Sequence, residues 1–259
     1  MTGKTENNSP ESGAAKPGRQ ISTCYKVENP LSISVFFPCY NEESNVENTV
    51  SKAIDVLEKI NADYEIIIVD DGSRDATGRI ADKIAAANKK VRVVHHKTNS
   101  GYGAAVRSGI KASTKSLVFF TDGDGQFDIS ELPPLLPLVN QFDIVCGFRL
   151  NRQDNFIRKL NGWLWTKLVC LLFGLSVRDI DCAFKLFKCQ VFDNMTLVST
   201  GALISAEILA RAVRKGYTIT QTGIQHFPRK AGKQTGAKLS VILRAFKELF
   251  KLYGTIRRS

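Results

Sequence analysis

Between residue 32 and about residue 147 the chain keeps changing its hydrophobic period. Short β-branched or aromatic runs at 33–37, 65–69, 91–94, 117–120 and 143–146 alternate with helical spacing at 43–60, 75–87 and 103–112. The runs are too short for helices, and turn residues follow most of them, so they read as strands. Repeated β–α alternation builds a mainly parallel sheet covered by helices on both faces, an α/β fold. The run EIIIV at 65–69 is too apolar for a sheet edge. Ligands of such sheets bind beyond the carboxyl ends of the strands. The segments that follow the strands are therefore where chemistry is to be sought.

Those segments are PCYNEE (38–43), DDGSRD (70–75), NSGYGAAVRSG (99–109) and DGDGQ (122–126). One such segment could be a plain turn, but four stacked on one edge mark a site. Asp122 and Asp124 are two apart on a turn, so both can reach one point beyond the sheet. Oxygen ligands among small glycines suit a hard cation, Mg²⁺ or Mn²⁺, that keeps waters and is completed by substrate phosphates. After 65–69, Gly72 permits a sharp turn and Ser73 or Asp75 can cap the next helix. Capping accounts for Asp75 and leaves the Asp70–Asp71 pair for a ligand. GYGAAVRSG is not GxGxxG and follows the third strand rather than the first, and there is no GxxxxGK[ST]. DGDG follows a fourth strand, which separates it from phosphatase nucleophile loops.

Charge narrows the partners. The net charge of the 259 residues is +11, unevenly placed: 16 basic and 19 acidic residues through Cys146, then 20 basic and 6 acidic from Gly147 onward. The first half suits a cation, the second an anion such as phosphate or an anionic lipid surface. Nucleic acid is excluded as the partner, because no recognition helix, RNP-like strand or zinc finger accompanies the surplus. At 43% apolar the chain can build a core without staples. Cys24, Cys39, Cys146, Cys170, Cys182 and Cys189 form no CxxC pair and read as small buried hydrophobes in a reducing compartment. His95, His96 and His226 lack zinc-ligand spacing with them. Residues 1–30 read as a flexible polar tail without a signal peptide's apolar region, and no run of 18 apolar residues predicts a spanning helix.

With these motifs in order, residues 33–149 resemble the nucleotide-sugar domain of family 2 glycosyltransferases, and most closely the dolichol- or polyprenyl-phosphate sugar synthases. The resemblance implies the GT-A fold, a Rossmann-like, mostly parallel sheet, for residues 31–236. It implies that Pro38, Tyr40, Asn41, Glu42, Asp70 and Asp71 hold the nucleoside, with Gly72 and Ser73 shaping the turn. Asn99, Gly101, Gly103 and Ala104 match the segment beside the nucleotide. Asp122, Gly123, Asp124 and Gln126 match DxDxQ, implying metal, diphosphate and sugar contacts, with Asp122, Asp124 and Gln126 as metal ligands. Gly147 and Arg149 match a GxR after the fifth strand. RDIDCAFKLF (178–187) is similar to the acceptor-side segment and places Asp179, Asp181, Cys182 and Lys185 near the transferred sugar. HFPRKAGKQTG (226–236) is similar to a loop whose arginine, here Arg229, grips phosphate. Ala183 departs from the glycine of many relatives.

The implied reaction moves a hexose from a UDP- or GDP-linked donor to an incoming oxygen with inversion, the metal stabilising the departing diphosphate. A polyprenyl-phosphate acceptor is already anionic and needs positioning more than a base, a task for Arg149, Arg229 and Lys185. A hydroxyl acceptor, the alternative, would need a base, Asp179 or Asp181. A non-catalytic nucleotide-sugar-binding protein is the remote alternative, disfavoured because both DxD aspartates are kept. Two helical stripes bear on the acceptor: positions 160, 164, 168, 171, 172 and 175, with Trp163 and Trp165 close by, and positions 239, 242, 243, 246, 249, 250 and 253. The second lies in a basic segment, 237–259. Both are expected as amphipathic helices, the second against an anionic membrane, which implies a peripheral protein on the cytoplasmic face.

Overall fold

The computed structural model describes residues 31–151, 156–228 and 239–258. The tail at 1–30 and the loop carrying Arg229 lie outside the described residues. Seven strands are found: β1 (Ser32–Cys39), β2 (Asp63–Asp70), β3 (Val91–His95), β4 (Leu117–Phe120), β5 (Ile144–Leu150), β6 (Lys185–Lys188) and β7 (Ile219–Gln225). They form one sheet in the order β3-β2-β1-β4-β6-β5-β7. The helices are α1 (Val46–Lys59), α2 (Thr77–Ala87), α3 (Tyr102–Ala112), α4 (Phe156–Phe173), α5 (Ile204–Arg214) and α6 (Leu239–Arg258).

Alternation along the central strands makes two cores. Ile33, Val35 and Phe37 of β1 face α1, where Val46, Val50, Ala53 and Leu57 are buried. Phe36 of β1, with Ile67, Val69, Val118 and Phe120, packs on Ala105 and Val106 of α3 and on α5. A strand buried on both faces reads as continuous apolar sequence, which is why EIIIV sits between two neighbours.

β6 is antiparallel to both β4 and β5, while every other pairing is parallel. Its first residue, Lys185, pairs with Phe120 at the end of β4 and with Cys146 of β5. This reversed strand brings residues 179–185 to the edge where β4 and β5 end. The fifth strand also runs on to Leu150, so Gly147 and Arg149 lie within β5 rather than after it.

The stripe expected on α4 is split. Val169 is buried and Leu168 and Leu172 pack on the core, whereas Leu160, Trp163, Leu164 and Leu171 face outward. α6 is likewise docked on the domain. Leu249, Leu252 and Ile256 are buried, Phe246 meets Trp165 edge-on at 5.5 Å, and Phe250 is exposed. The five described cysteines are free thiols; Cys39, Cys146 and Cys182 are buried, but Cys189 is exposed, contrary to expectation.

Candidate functional site

A cleft of about 640 Å³ opens at the carboxyl ends of β1, β2 and β4 and the start of α3. Its lining includes Pro38, Cys39, Tyr40, Asn41, Glu42, Asp71, Asn99, Gly101, Tyr102, Asp122, Gly123 and Asp124. Three of the four segments singled out by the strand-end rule thus meet there through several residues, and the DDGSRD segment through Asp71.

The loops after β1 and β2 are stitched together. Asn41 N–H donates to Ser73 Oγ (3.0 Å), Arg74 N–H to Asn41 Oδ1 (2.8 Å), and Glu42 N–H to Thr77 Oγ1 (2.7 Å). Asp75 accepts from Thr77 N–H at 2.9 Å, but the cap position of α2 is taken by Ala76, so neither Ser73 nor Asp75 is the cap itself. The Asp70–Asp71 pair has structural partners as well. Asp70 accepts from Ser73 N–H (3.0 Å) and faces His95 Nδ1 (3.0 Å). Burial works against its ionisation, but Ser73 and His95 outweigh it and hold the carboxyl below its ordinary range. Asp71 accepts from Ser100 N–H (2.8 Å) and Gly101 N–H (2.9 Å) and pairs with His96 Nδ1 at 2.6 Å.

The glycines of 99–104 serve packing. Gly101 has a φ of 97°, and a Cβ there would lie 2.5 Å from the Thr200 carbonyl. Gly103 N–H donates to that same carbonyl at 2.8 Å. Gly103 and Ala104 are therefore buried behind the cleft and do not line it.

At the end of β4, Asp122 Oδ1 is buried with no hydrogen-bond partner among the described residues. Burial and the neighbouring Asp124 push the Asp122 carboxyl up to about 7, against a Tyr102 hydrogen bond and the charges of Lys185 and Arg149. An orphaned carboxylate oxygen beside a second aspartate fits a divalent cation. Among the described residues no group of three or more His, Cys, Asp or Glu side chains could hold one by itself. Asp122 and Asp124 would supply part of a shell that diphosphate and water complete. Gln126 is turned elsewhere: its Nε2 donates to the Phe227 carbonyl at 3.1 Å, and it does not line the cleft.

The acceptor-side residues are rearranged relative to expectation. Arg149 and Asp179 bind each other, Nε to Oδ2 at 2.7 Å and Nη2 to Oδ1 at 2.8 Å. Burial opposes ionisation of Asp179, yet the guanidinium outweighs it and holds that carboxyl low. Asp181 goes the other way. Although it is exposed, desolvation by the surrounding protein and the Asp179 charge raise it, against Arg149, Lys185 and a Trp165 hydrogen bond. Lys185 is wholly buried, donating to the carbonyls of Ile180 and Cys182 and lying 3.5 Å from Ser205 Oγ. It braces the 179–184 segment from inside and cannot meet an acceptor phosphate directly. Sequence reasoning missed Tyr102, His95 and His96. The histidines stand at the end of β3, where the strand-end rule points, but they precede the glycine-rich segment that drew attention.

The family model described as glycosyl transferase family 2 matches residues 34–211. The chain is 30% identical over 172 residues to dodecaprenyl-phosphate galacturonate synthase of Rhizobium johnstonii, covering 65% of this chain and 51% of that protein. It is 35% identical over 175 residues to human dolichyl-phosphate beta-glucosyltransferase, covering 60% and 54%. The chain thus spans about half the length of these relatives. Among solved structures, glucosyl-3-phosphoglycerate synthase of Mycobacterium tuberculosis in complex with UDP superposes with a TM-score of 0.66 at 19% identity, over 93% of this chain and 86% of that one. The same enzyme with Mn²⁺, UDP-glucose and phosphoglyceric acid gives 0.64 at 19%, over 86% and 80%. At these identities the likeness is one of fold, and the fold is GT-A.

Proposed function

Because this chain belongs to glycosyl transferase family 2, we propose that it transfers a hexose from a nucleotide-diphosphate sugar to a polyprenyl phosphate at a membrane surface. The observation that carries the donor half is the cleft, with its orphaned Asp122 oxygen beside Asp124. Its volume lies within the range of small-molecule sites. The acceptor half is supported by the names of the relatives, which are polyprenyl- and dolichyl-phosphate enzymes.

In this reading Tyr40 and Asn41 border the nucleoside, and Asp71 fixes the 100–101 amides beside it. Asp122 and Asp124 hold Mg²⁺ or Mn²⁺, the ions seen with UDP in the mycobacterial enzyme. When bound, such an ion neutralises charge on the leaving diphosphate. Arg149, neutralised by Asp179, acts by shaping the acceptor side, and phosphate capture passes to Arg229. Outward-facing Leu160, Trp163 and Leu164 of α4, with exposed Lys159 and Lys167, suit an anionic lipid surface. No helix among the described residues is long and apolar enough to cross a membrane.

One observation favours a second reading, transfer to a hydroxyl. Asp181 is exposed to solvent with its carboxyl raised, open to an incoming hydroxyl and suited to act as a general base, whereas Asp179 is spent on Arg149.

Radiolabel transfer from UDP- and GDP-sugars into the organic phase, with polyprenyl phosphate and Mn²⁺, decides between them. EDTA-sensitive label in lipid with one donor, lost in Asp124→Ala, is the expected result. Turnover onto soluble acceptors with none onto lipid would transfer the assignment to the hydroxyl reading. Full activity in EDTA would remove the metal from Asp122 and Asp124.

A further inference from the structure

Asp71 joins several elements at the cleft. Its N–H donates to the Cys39 carbonyl at the end of β1 (2.9 Å), and its carboxylate takes the Ser100 and Gly101 amides that lead into α3. Its remaining partner is His96, the residue after β3, with Nδ1 at 2.6 Å. The other ring nitrogen, Nε2, lies 2.8 Å from Ser108 Oγ of α3. Both side chains are largely withdrawn from water, His96 at 14% exposure and Asp71 at 4%.

A carboxylate accepts, so Nδ1 donates its hydrogen to Asp71, and Nε2 is tied to the Ser108 hydroxyl, which can donate or accept. The chain Ser108→His96→Asp71 has the connectivity of a hydrolytic triad, but its serine sits inside α3 and does not line the cleft, whereas its aspartate does. The end that meets ligand is the carboxylate.

We propose that His96 is a positioning residue of the donor subsite. By donating Nδ1–H to Asp71 while braced on α3, it fixes the carboxylate plane and thereby the 100–101 amides beside the nucleoside. The inference rests on the reading of this cleft as the donor site. The two backbone amides hold one carboxylate oxygen each, Ser100 on Oδ1 and Gly101 on Oδ2, and both belong to the same loop, which by itself leaves carboxylate and loop the freedom to shift together. The third, side-chain bond removes it, and sites need their groups held to about half an ångström.

The two amide isosteres of histidine test this, because Asn can place a donor near Nδ1 and Gln places one nearer Nε2. Calorimetric affinity for UDP and GDP with Mn²⁺ is measured on the full chain, alongside donor KM and kcat. For the nucleotide that the parent protein binds, His96→Gln should weaken affinity about tenfold, the scale of one hydrogen bond to a charged group. KM should rise and kcat stay within about twofold. His96→Asn should recover most of the loss, a rescue that a merely space-filling ring would not show. Parent-like affinity in His96→Gln, or equal loss in both variants, overturns the positioning role. Asp71→Asn separates the two levels. If it weakens nucleotide binding while His96→Gln does not, only the role of His96 falls. If Asp71→Asn binds as the parent does, the donor-site reading falls and this inference with it.

Discussion

Arg149 and Asp179 show what one residue's partner does to its role. Each has a sequence signature that points at ligand, and neither is free to follow it, because they are joined at 2.7 and 2.8 Å. Exposures of 16% and 11% place the pair largely out of water. Removing one member of such a pair costs about 3–5 kcal/mol, since the other charge stays buried and unpaired. Arg149→Met should therefore lower urea-derived stability at pH 7 by that amount, and adding Asp179→Asn should restore much of it. The pH dependence has a definite sign. The folded-state carboxyl of Asp179 is held below its unfolded value, so its contribution is full above about pH 4 and fades as pH falls through the folded value. The parent protein should lose stability on that acid limb, and Arg149→Met/Asp179→Asn should lose less. Parallel acid limbs would show that the pair carries no pH-linked stability. None of this pairing is legible in sequence, where Arg149 and Asp179 are 30 residues apart.

At the scale of elements, α3 shows the packing that a helical pattern alone conceals. Gly109 lies in its interior, where Ala would add about 1 kcal/mol of helix propensity. A Cβ there, however, would stand 2.3 Å from Phe36 Cδ2 of β1. Phe36 is fully buried and stacked on Phe120 at 5.1 Å, so it has little room to yield. Overpacking of this kind costs about 1–3 kcal/mol, so sterics should exceed propensity. Gly109→Ala should lower thermal stability, and a rise would mean that α3 can lift from the sheet. What sequence conveys at this scale follows from periodicity. β1 to β5 and α1 to α3 announce themselves because central strands are apolar throughout and surface helices alternate at 3.6. β6 is KLFK, four residues with a lysine at each end, and β7 is ITQTGIQ, half polar at a sheet edge. Neither has a period to read, yet β6 alone determines that 179–185 reach the site. α4 misleads for the opposite reason: apolar side chains on both its faces leave no sequence mark of which one is buried.

Across the whole molecule, the basic half of the chain and the outward apolar residues of α4 lie on the same C-terminal side of the sequence. The two features predict different responses at a lipid surface. Each basic residue near anionic lipid contributes about 1 kcal/mol, within a Debye length of about 8–10 Å that shrinks toward 3 Å in molar salt. Full burial of a Leu or similar side chain contributes about 1.5–3 kcal/mol with little dependence on salt. Trp163 and Leu164 are 54% and 50% exposed, so each has roughly half of its area left to bury. Sedimentation with vesicles containing phosphatidylserine should therefore weaken, without vanishing, between about 0.1 and 0.5 M NaCl. Trp163→Asp with Leu164→Asp should abolish binding at both salt concentrations and leave the melting temperature near that of the parent, because the exposed portions of these side chains support no core. Complete loss of the parent's binding in high salt would make the contact purely electrostatic and keep α4 out of the bilayer. Undiminished binding by the double variant would move the lipid-facing surface to α6, where Phe250 is 62% exposed beside Lys251.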